Sequence, residues 1–216
     1  GFFVARAGLG ASESMRSKLA EYNDPRLSRA FITKQGTSGK EQAPGTADNA
    51  VYAPNGTPEQ GTSKYGTSLF MYSISAPTLL LSYHELKFLE AEALCRLERD
   101  AKSALKDAVV AGLLNAENSF TISRKELGKT LINAASSITE AEAESYFDNT
   151  IEAKYTAEPL KTTMTQKYFA LWGASGEATE SYNDVRRMKG LGENFIELKN
   201  PNSFPLRCPY GNSDTT

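Results

Sequence analysis

The chain of 216 residues has few cysteines (two), one histidine and one tryptophan, and it has no excess of either charge. Cys95 lies in a helix-forming stretch and Cys208 in a Pro-rich tail, so neither a disulfide framework nor a metal-type pairing is indicated. Both are read as free thiols packing like small hydrophobes. Twenty-four Lys plus Arg against 26 Asp plus Glu give a formal net charge of -2, which leaves no basic field to draw a phosphate backbone and excludes nucleic acid as a partner. No apolar run approaches the ~20 residues that cross a bilayer. The chain opens on Gly1 with no charged and apolar leader, so any targeting segment is expected upstream of it or already removed. What is present, 40% hydrophobic and 23% charged residues, suits a globular chain with a sizeable core.

Residues 36–66 are dense in Gly, Pro, Thr, Ser and Asn, with the turn pair Asn55-Gly56 and then Pro58. They read as a long surface loop with short strands, kept partly ordered by Tyr52, Tyr65, Phe70 and Tyr72 in and just beyond it. Just before the loop, Asn23-Asp24-Pro25-Arg26 marks the end of a short helix, since Pro25 biases Asp24 away from helical backbone. A helical period begins at Ser82, a predicted cap with Glu85 three residues later. Leu86, Leu89, Ala93 and Leu97 share a stripe expected to pack inward, and the helix is expected to end near Arg99. Asp100 is expected to cap a second helix whose Ala101, Ala104, Leu105, Ala108 and Gly112 form a face of small residues, and the two make a hairpin. A turn is expected at residues 118–121, followed by capping boxes at Ser123/Glu126 and Thr139/Glu142. Phe147, Ile151 and Tyr155 line one helix of a second hairpin. Leu160, Met164, Tyr168 and Leu171 line the other, with Pro159 in its first turn. A last helix spans about 177–188, with Gly190 and Gly192 placed to stop it. The resulting fold is mostly α: tetratricopeptide-like hairpins without a clean repeat, a long irregular region and an extended tail. Three portions follow: a loop-rich part over 1–78 that faces ligand, the helical array over 79–190, and the tail over 191–216 packed on the helices.

Enzyme signatures fail one by one. His84, at a helix start where the dipole disfavours an imidazolium, lacks a catalytic partner. Gly173-Ala174-Ser175-Gly176-Glu177 carries Glu where a nucleophile elbow needs its second Gly, and it follows a helix instead of a strand. Residues 34–41 miss both the first Gly and the hydroxyl of a phosphate loop. Glu13 stands where a dinucleotide fingerprint, begun by Gly8 and Gly10, needs a third Gly. Glu85, Glu90, Glu92 and Glu98 are read as ion-pair partners and not as a glycosidase pair. No metal ligand set emerges.

Residues 81–97, Leu-Ser-Tyr-His-Glu-Leu-Lys-Phe-Leu-Glu-Ala-Glu-Ala-Leu-Cys-Arg-Leu, closely resemble the Tyr-x-Glu-x-x-Phe-x-x-Ala-Glu-Ala helix of SusD/RagB-type nutrient-binding lipoproteins. Further motifs fall in family order: Asn23-Asp24-Pro25-Arg26, the run from Gln166 through Trp172 to Gly173, Ser181-Tyr182-Asn183-Asp184-Val185-Arg186-Arg187, and Pro205-Leu206-Arg207-Cys208-Pro209-Tyr210. Gly211 and Asp214 depart from a common Pro and Glu at the end. The resemblance implies the C-terminal portion of a protein about twice this length or more. It implies a surface protein on the outer membrane of a Gram-negative bacterium, held by an N-terminal lipid anchor absent from this chain. Such a protein captures an oligosaccharide or polysaccharide without chemical change, needs no cofactor, and passes its ligand to a SusC-like TonB-dependent transporter. The alternative from the residues alone is a helical-repeat adaptor for proteins.

Sugar recognition uses aromatic faces flanked by amides, so Tyr52, Tyr65, Phe70, Tyr72, Asn49 and Asn55 are the candidate ligand contacts. The motif residues Asp24, Arg26, Glu85, Glu92, Trp172, Asp184, Arg186, Arg187 and Arg207 are assigned to structure, with the arginines expected to bond carboxylates such as Asp184 or Glu92.

Overall fold

The computed structural model describes residues 10–35, 41–44, 51–56, 65–128, 131 and 134–199, with the backbone alone for 34, 35 and 41–44. Helix α1 (Glu13–Glu21) starts where the Ser12 hydroxyl accepts a hydrogen bond from the Met15 amide. It stops at Tyr22 as Asn23 turns into the left-handed region at φ 49°. The chain then enters β1 (Phe31–Gln35), the central strand of an antiparallel sheet ordered β2-β1-β3 with β2 (Glu41–Pro44) and β3 (Thr67–Ser68). Ile32 pairs with Pro44 on one side and Thr67 on the other. Phe31 and Ile32 are sealed in the core.

A short 3-10 turn (Leu69–Tyr72) leads toward the helices: α2 (Tyr83–Arg96), α3 (Lys102–Leu127), α4 (Glu140–Tyr146), α5 (Glu152–Ala157), α6 (Pro159–Leu171) and α7 (Glu180–Gly190). The predicted caps form at Ser82, whose hydroxyl accepts from the Glu85 amide, and at Thr139, which accepts from Glu142. α2 and α3 form the first hairpin and both pack on α6. The small face of α3 is buried through Ala101, Ala104, Leu105, Ala108 and Gly112, which admits its neighbours closely. The second hairpin packs α5 on α6. Phe88, Phe120, Phe147 and Phe169 are fully buried, each contributing about 1.5–3 kcal/mol by leaving water. A smaller cluster of Met164, Val185, Met188 and Ile196 docks residues 195–198 onto α6 and α7.

Several expectations are corrected. No turn occurs at 118–121: α3 runs unbroken through Leu127, with no Gly or Pro after Gly112 to stop it. Ser123 sits mid-helix and donates to the carbonyls of Leu69 (2.6 Å) and Ser119 (2.9 Å), so its Ser-x-x-Glu pattern caps nothing. The helix after Thr139 is interrupted by a π-helical segment (Phe147–Ile151), yet Phe147, Ile151 and Tyr155 still face inward. The last helix opens as a 3-10 turn (Ser175–Thr179), and Gly192 (φ 76°), not Gly190, takes the left-handed stop. α2 ends at Arg96, short of Arg99.

The largest difference is the stripe of α2. Leu86, Leu89 and Leu97 are 51%, 42% and 62% exposed, and Ala93 is exposed as well. Phe88 and Ala91 face inward together with His84, Glu85 and Glu92. Periodicity found a stripe but not the side the core takes. Of the inward carboxylates, Glu92 is met there by the guanidinium groups of Arg187 and Arg96, which offset its burial.

Candidate functional site

Two of the candidate aromatics, Tyr52 and Phe70, lie on one string of rings. Tyr52, half-buried, meets Phe31 edge-on at 5.1 Å, with the Arg16 guanidinium 5.7 Å from its ring centre. Burial pushes the Tyr52 phenol above its ordinary range. Phe31 lies 5.3 Å from Trp172, which lies 5.0 Å from Phe70, which lies 4.8 Å from Phe120. Tyr72 packs half-buried against the same core, and Tyr65 is half-buried. Asn55 is engaged structurally, its amide oxygen accepting from the Ser12 hydroxyl (3.0 Å) and the Ser14 amide (3.3 Å). Asn49 and Arg207, with the 205–210 motif, lie outside the described residues.

Phe70 also forms one wall of a cleft of about 530 Å³ whose other walls are Met71, Ile74, Pro77 and the α3 amides Asn115 and Asn118. The floor is the turn at 173–176, pressed so close that glycine is required. A Cβ on Gly173, which already sits at φ +79°, would lie 2.4 Å from the Phe70 ring, and one on Gly176 would lie 2.5 Å from the Leu79 carbonyl oxygen. Between them Ser175 holds φ 54°, a rare conformation for a side-chain-bearing residue, and lines the same cleft. The Gly-Ala-Ser-Gly motif therefore shapes the floor of the cleft. Sequence reasoning missed Asn115 and Asn118; two amides spaced i, i+3 on one helix were the available signal. An apolar wall facing amides suits a ligand with one apolar and one hydroxylated side.

The motif residues converge elsewhere, in ion pairs that join distant elements. The Arg26 guanidinium bonds both carboxylate oxygens of Asp24 (2.8 and 2.6 Å) and the Phe169 carbonyl (2.7 Å). The Tyr146 hydroxyl adds a bond to Asp24 at 3.3 Å. Burial opposes the charge on Arg26, but the Asp24 carboxylate outweighs it and holds the guanidinium above its ordinary value. A second chain runs from Lys167 to Asp184 (2.8 Å), from Asp184 to Arg187 (2.8 Å), then to Glu92, Arg96 and Glu193, linking α6, α7, α2 and the segment after α7. Burial opposes ionisation of Glu92, yet the hydrogen bonds from Arg187 and Arg96 keep its carboxyl below the usual range. Arg186 is exposed, its guanidinium 5.6 Å from the Tyr182 ring centre.

A third knot ties α2 to the 3-10 turn. Glu177, 2% exposed, accepts from the Ser82 amide and hydrogen-bonds Glu85, and its other oxygen is 3.5 Å from His84 Nε2. Burial and the neighbouring Glu177 charge push Glu85 up to about 7, and burial pulls His84 down. No cluster of His, Cys, Asp and Glu suited to a metal ion occurs among the described residues.

The family profile described as "Starch-binding associating with outer membrane" matches residues 3–210. A solved SusD/RagB family protein from Bacteroides thetaiotaomicron is 62% identical and superposes on this chain throughout with a TM-score of 0.92. The chain covers 100% of its own length in that match and 46% of the relative's, so it spans under half of that protein. No curated protein matches. With a profile that runs almost end to end and a relative that shares both sequence and fold, the chain belongs to the SusD-like (SusD/RagB) family.

Proposed function

We propose that this chain is part of a non-catalytic outer-membrane protein that captures glycans at the cell surface and delivers them to a SusC-like TonB-dependent transporter. The cleft beside Phe70 carries the reading, within a family whose profile is described as starch-binding. Its apolar wall of Phe70, Met71 and Pro77 suits the C–H face of a pyranose, and the Asn115 and Asn118 amides suit its hydroxyls. The aromatic residues Tyr52, Tyr65 and Tyr72 and the amides Asn49 and Asn55 are proposed to border the same ligand-facing region. Attachment to the membrane is proposed to be through an N-terminal lipid anchor; among the described residues no helix is long and apolar enough to cross a bilayer.

Calorimetry of the intact polypeptide against linear and branched glucan oligosaccharides tests the proposal, with chromatography of the recovered sugars. The expected result is saturable binding of unaltered ligand, weakened about tenfold by Asn118→Leu, which removes one hydrogen-bonding group. Cleaved product would refute the non-catalytic reading. Silence toward every glycan, together with saturable binding of peptides, would favour the helical-repeat adaptor.

A further inference from the structure

Two walls of the cleft beside Phe70 come from distant parts of the chain: residues 76–79, which lead into α2, and the turn at 173–178. They approach so closely that a Cβ on Gly176 would strike the Leu79 carbonyl. Glu177 is the next residue. Its carboxylate accepts from the amide of Ser82, the cap of α2, and so joins the turn to the end of the opposite wall. That join depends on a proton. A carboxylate only accepts hydrogen bonds, so the bond between Glu177 and Glu85 requires a proton held between the two. Glu177 and Glu85 are 2% and 7% exposed, and water screens poorly the two charges that would meet once the proton left. The second Glu177 oxygen and His84 Nε2 face each other at 3.5 Å, and among the described residues neither atom has a hydrogen-bond partner. A protonated His84 would supply a counter-charge, but burial pulls it down against the Glu177 charge, and Arg26 acts in the same direction as burial. Lys167 of α6 and Glu180 of α7 also face Glu85, with opposite effects, and Lys167 is already bonded to Asp184. The groove beside Glu85 is lined further by Glu92, Arg96 and Arg187, which pair with one another.

We propose that Glu177 is a positioning residue of the cleft and that the proton it shares with Glu85 acts as a latch between the cleft's two walls. With the proton in place the walls are held together. Without it the carboxylates separate, the tie to Ser82 loosens, and the cleft loses affinity for its ligand. The ligand half of this inference rests on the cleft being the glycan site; the latch itself does not. Glu85 titrates near 7, which places the transition close to neutral pH.

Calorimetric titration of the intact polypeptide with the linear and branched glucan oligosaccharides named above, at pH 6 and pH 8.5, tests this. Affinity is expected to be lower at pH 8.5 by roughly fivefold or more. Binding near pH 7.5 should take up protons, read as a binding enthalpy that varies with the ionisation enthalpy of the buffer, because ligand and proton affinities are linked reciprocally. Glu85→Gln keeps a donor toward Glu177 at every pH, and Glu177→Gln gives Glu85 an amide neighbour that bonds it in either charge state. Each variant should therefore bind equally at the two pH values, and if one fails to fold the other carries the test. A purely structural role for either residue would leave the slope unchanged. Equal affinity of the parent at both pH values, or a slope that survives in a folded variant, overturns the proposal. Silence toward every glucan refutes the proposed function instead, and the latch is then decided without ligand. Hydrogen exchange of peptides covering 78–83 and 173–178 is compared between the parent and Glu85→Gln at each pH, which cancels the pH dependence of exchange itself. Exchange that becomes roughly fivefold faster in the parent above pH 7 supports the latch, and equal rates throughout overturn it.

Discussion

Arg26 offers the sharpest check on the claim that the family motifs hold the fold together. Its side chain is 3% exposed and that of Asp24 is 0%, so neither charge has water as an alternative partner. Arg26→Met keeps most of the volume and removes the guanidinium. It leaves the Asp24 carboxylate with the Tyr146 hydroxyl and the Arg26 amide, and it leaves the Phe169 carbonyl unbonded by that side chain. Breaking a buried pair from one side costs about 3–5 kcal/mol because the remaining charge is uncompensated. For a chain of this size each kcal/mol lowers the melting temperature by roughly 2–4 °C, so a drop of roughly 6–20 °C is expected in calorimetric or fluorescence melts. Pairing it with Asp24→Leu should recover part of the loss, since two apolar groups then replace the pair. Arg187→Ala, by contrast, removes a partly exposed group whose partners keep others: Glu92 retains Arg96 and Asp184 retains Lys167. A loss of about 1–2 kcal/mol is expected there. An Arg26→Met protein melting within ~2 °C of the parent would refute the reasoning, because no buried pair of this kind can be broken so cheaply.

Glu85 titrates near 7 in the folded chain against 4.5 as a free group, so its contribution is complete at acid pH and is lost as pH rises through about 7. Denaturant melts should show stability falling by about 2 kcal/mol from pH 5 to pH 8.5, and Glu85→Gln should abolish most of that fall. His84, depressed by burial, acts in the other direction: its contribution is present above its ordinary value of 6.5 and is lost as pH falls through the lower folded value, which sets the acid limb left in Glu85→Gln. Gly173→Ala forces a Cβ into the Phe70 ring at a positive φ, costing about 2–4 kcal/mol in equilibrium unfolding, and the displaced ring should weaken glycan binding.

Much of the array was legible because helix starts are written locally. Ser82 and Thr139 cap where Ser/Thr-x-x-Glu stands, and Pro159 opens α6. The same pattern misled at Ser123, since four residues cannot say whether a helix already surrounds them. The inversion of α2 was illegible for a deeper reason: the groups that meet Glu92 and Glu85 on the inward side include Arg187 and Glu177, which lie far along the chain. A hydrophobic scale ranks those carboxylates outward. The cleft escaped for a similar reason, being assembled from the 70–79 segment, mid-helix amides of α3 and a pinched glycine turn, none of which is a motif by itself.

The measurement closest to the central claim is hydrogen exchange of the intact polypeptide, read by mass spectrometry, with and without a saturating glucan oligosaccharide. Capture at the cleft predicts slowed exchange in peptides covering 70–79 and 173–178, with no change on the far face at α5. Saturable binding that leaves both peptides exchanging as in the free protein would contradict it.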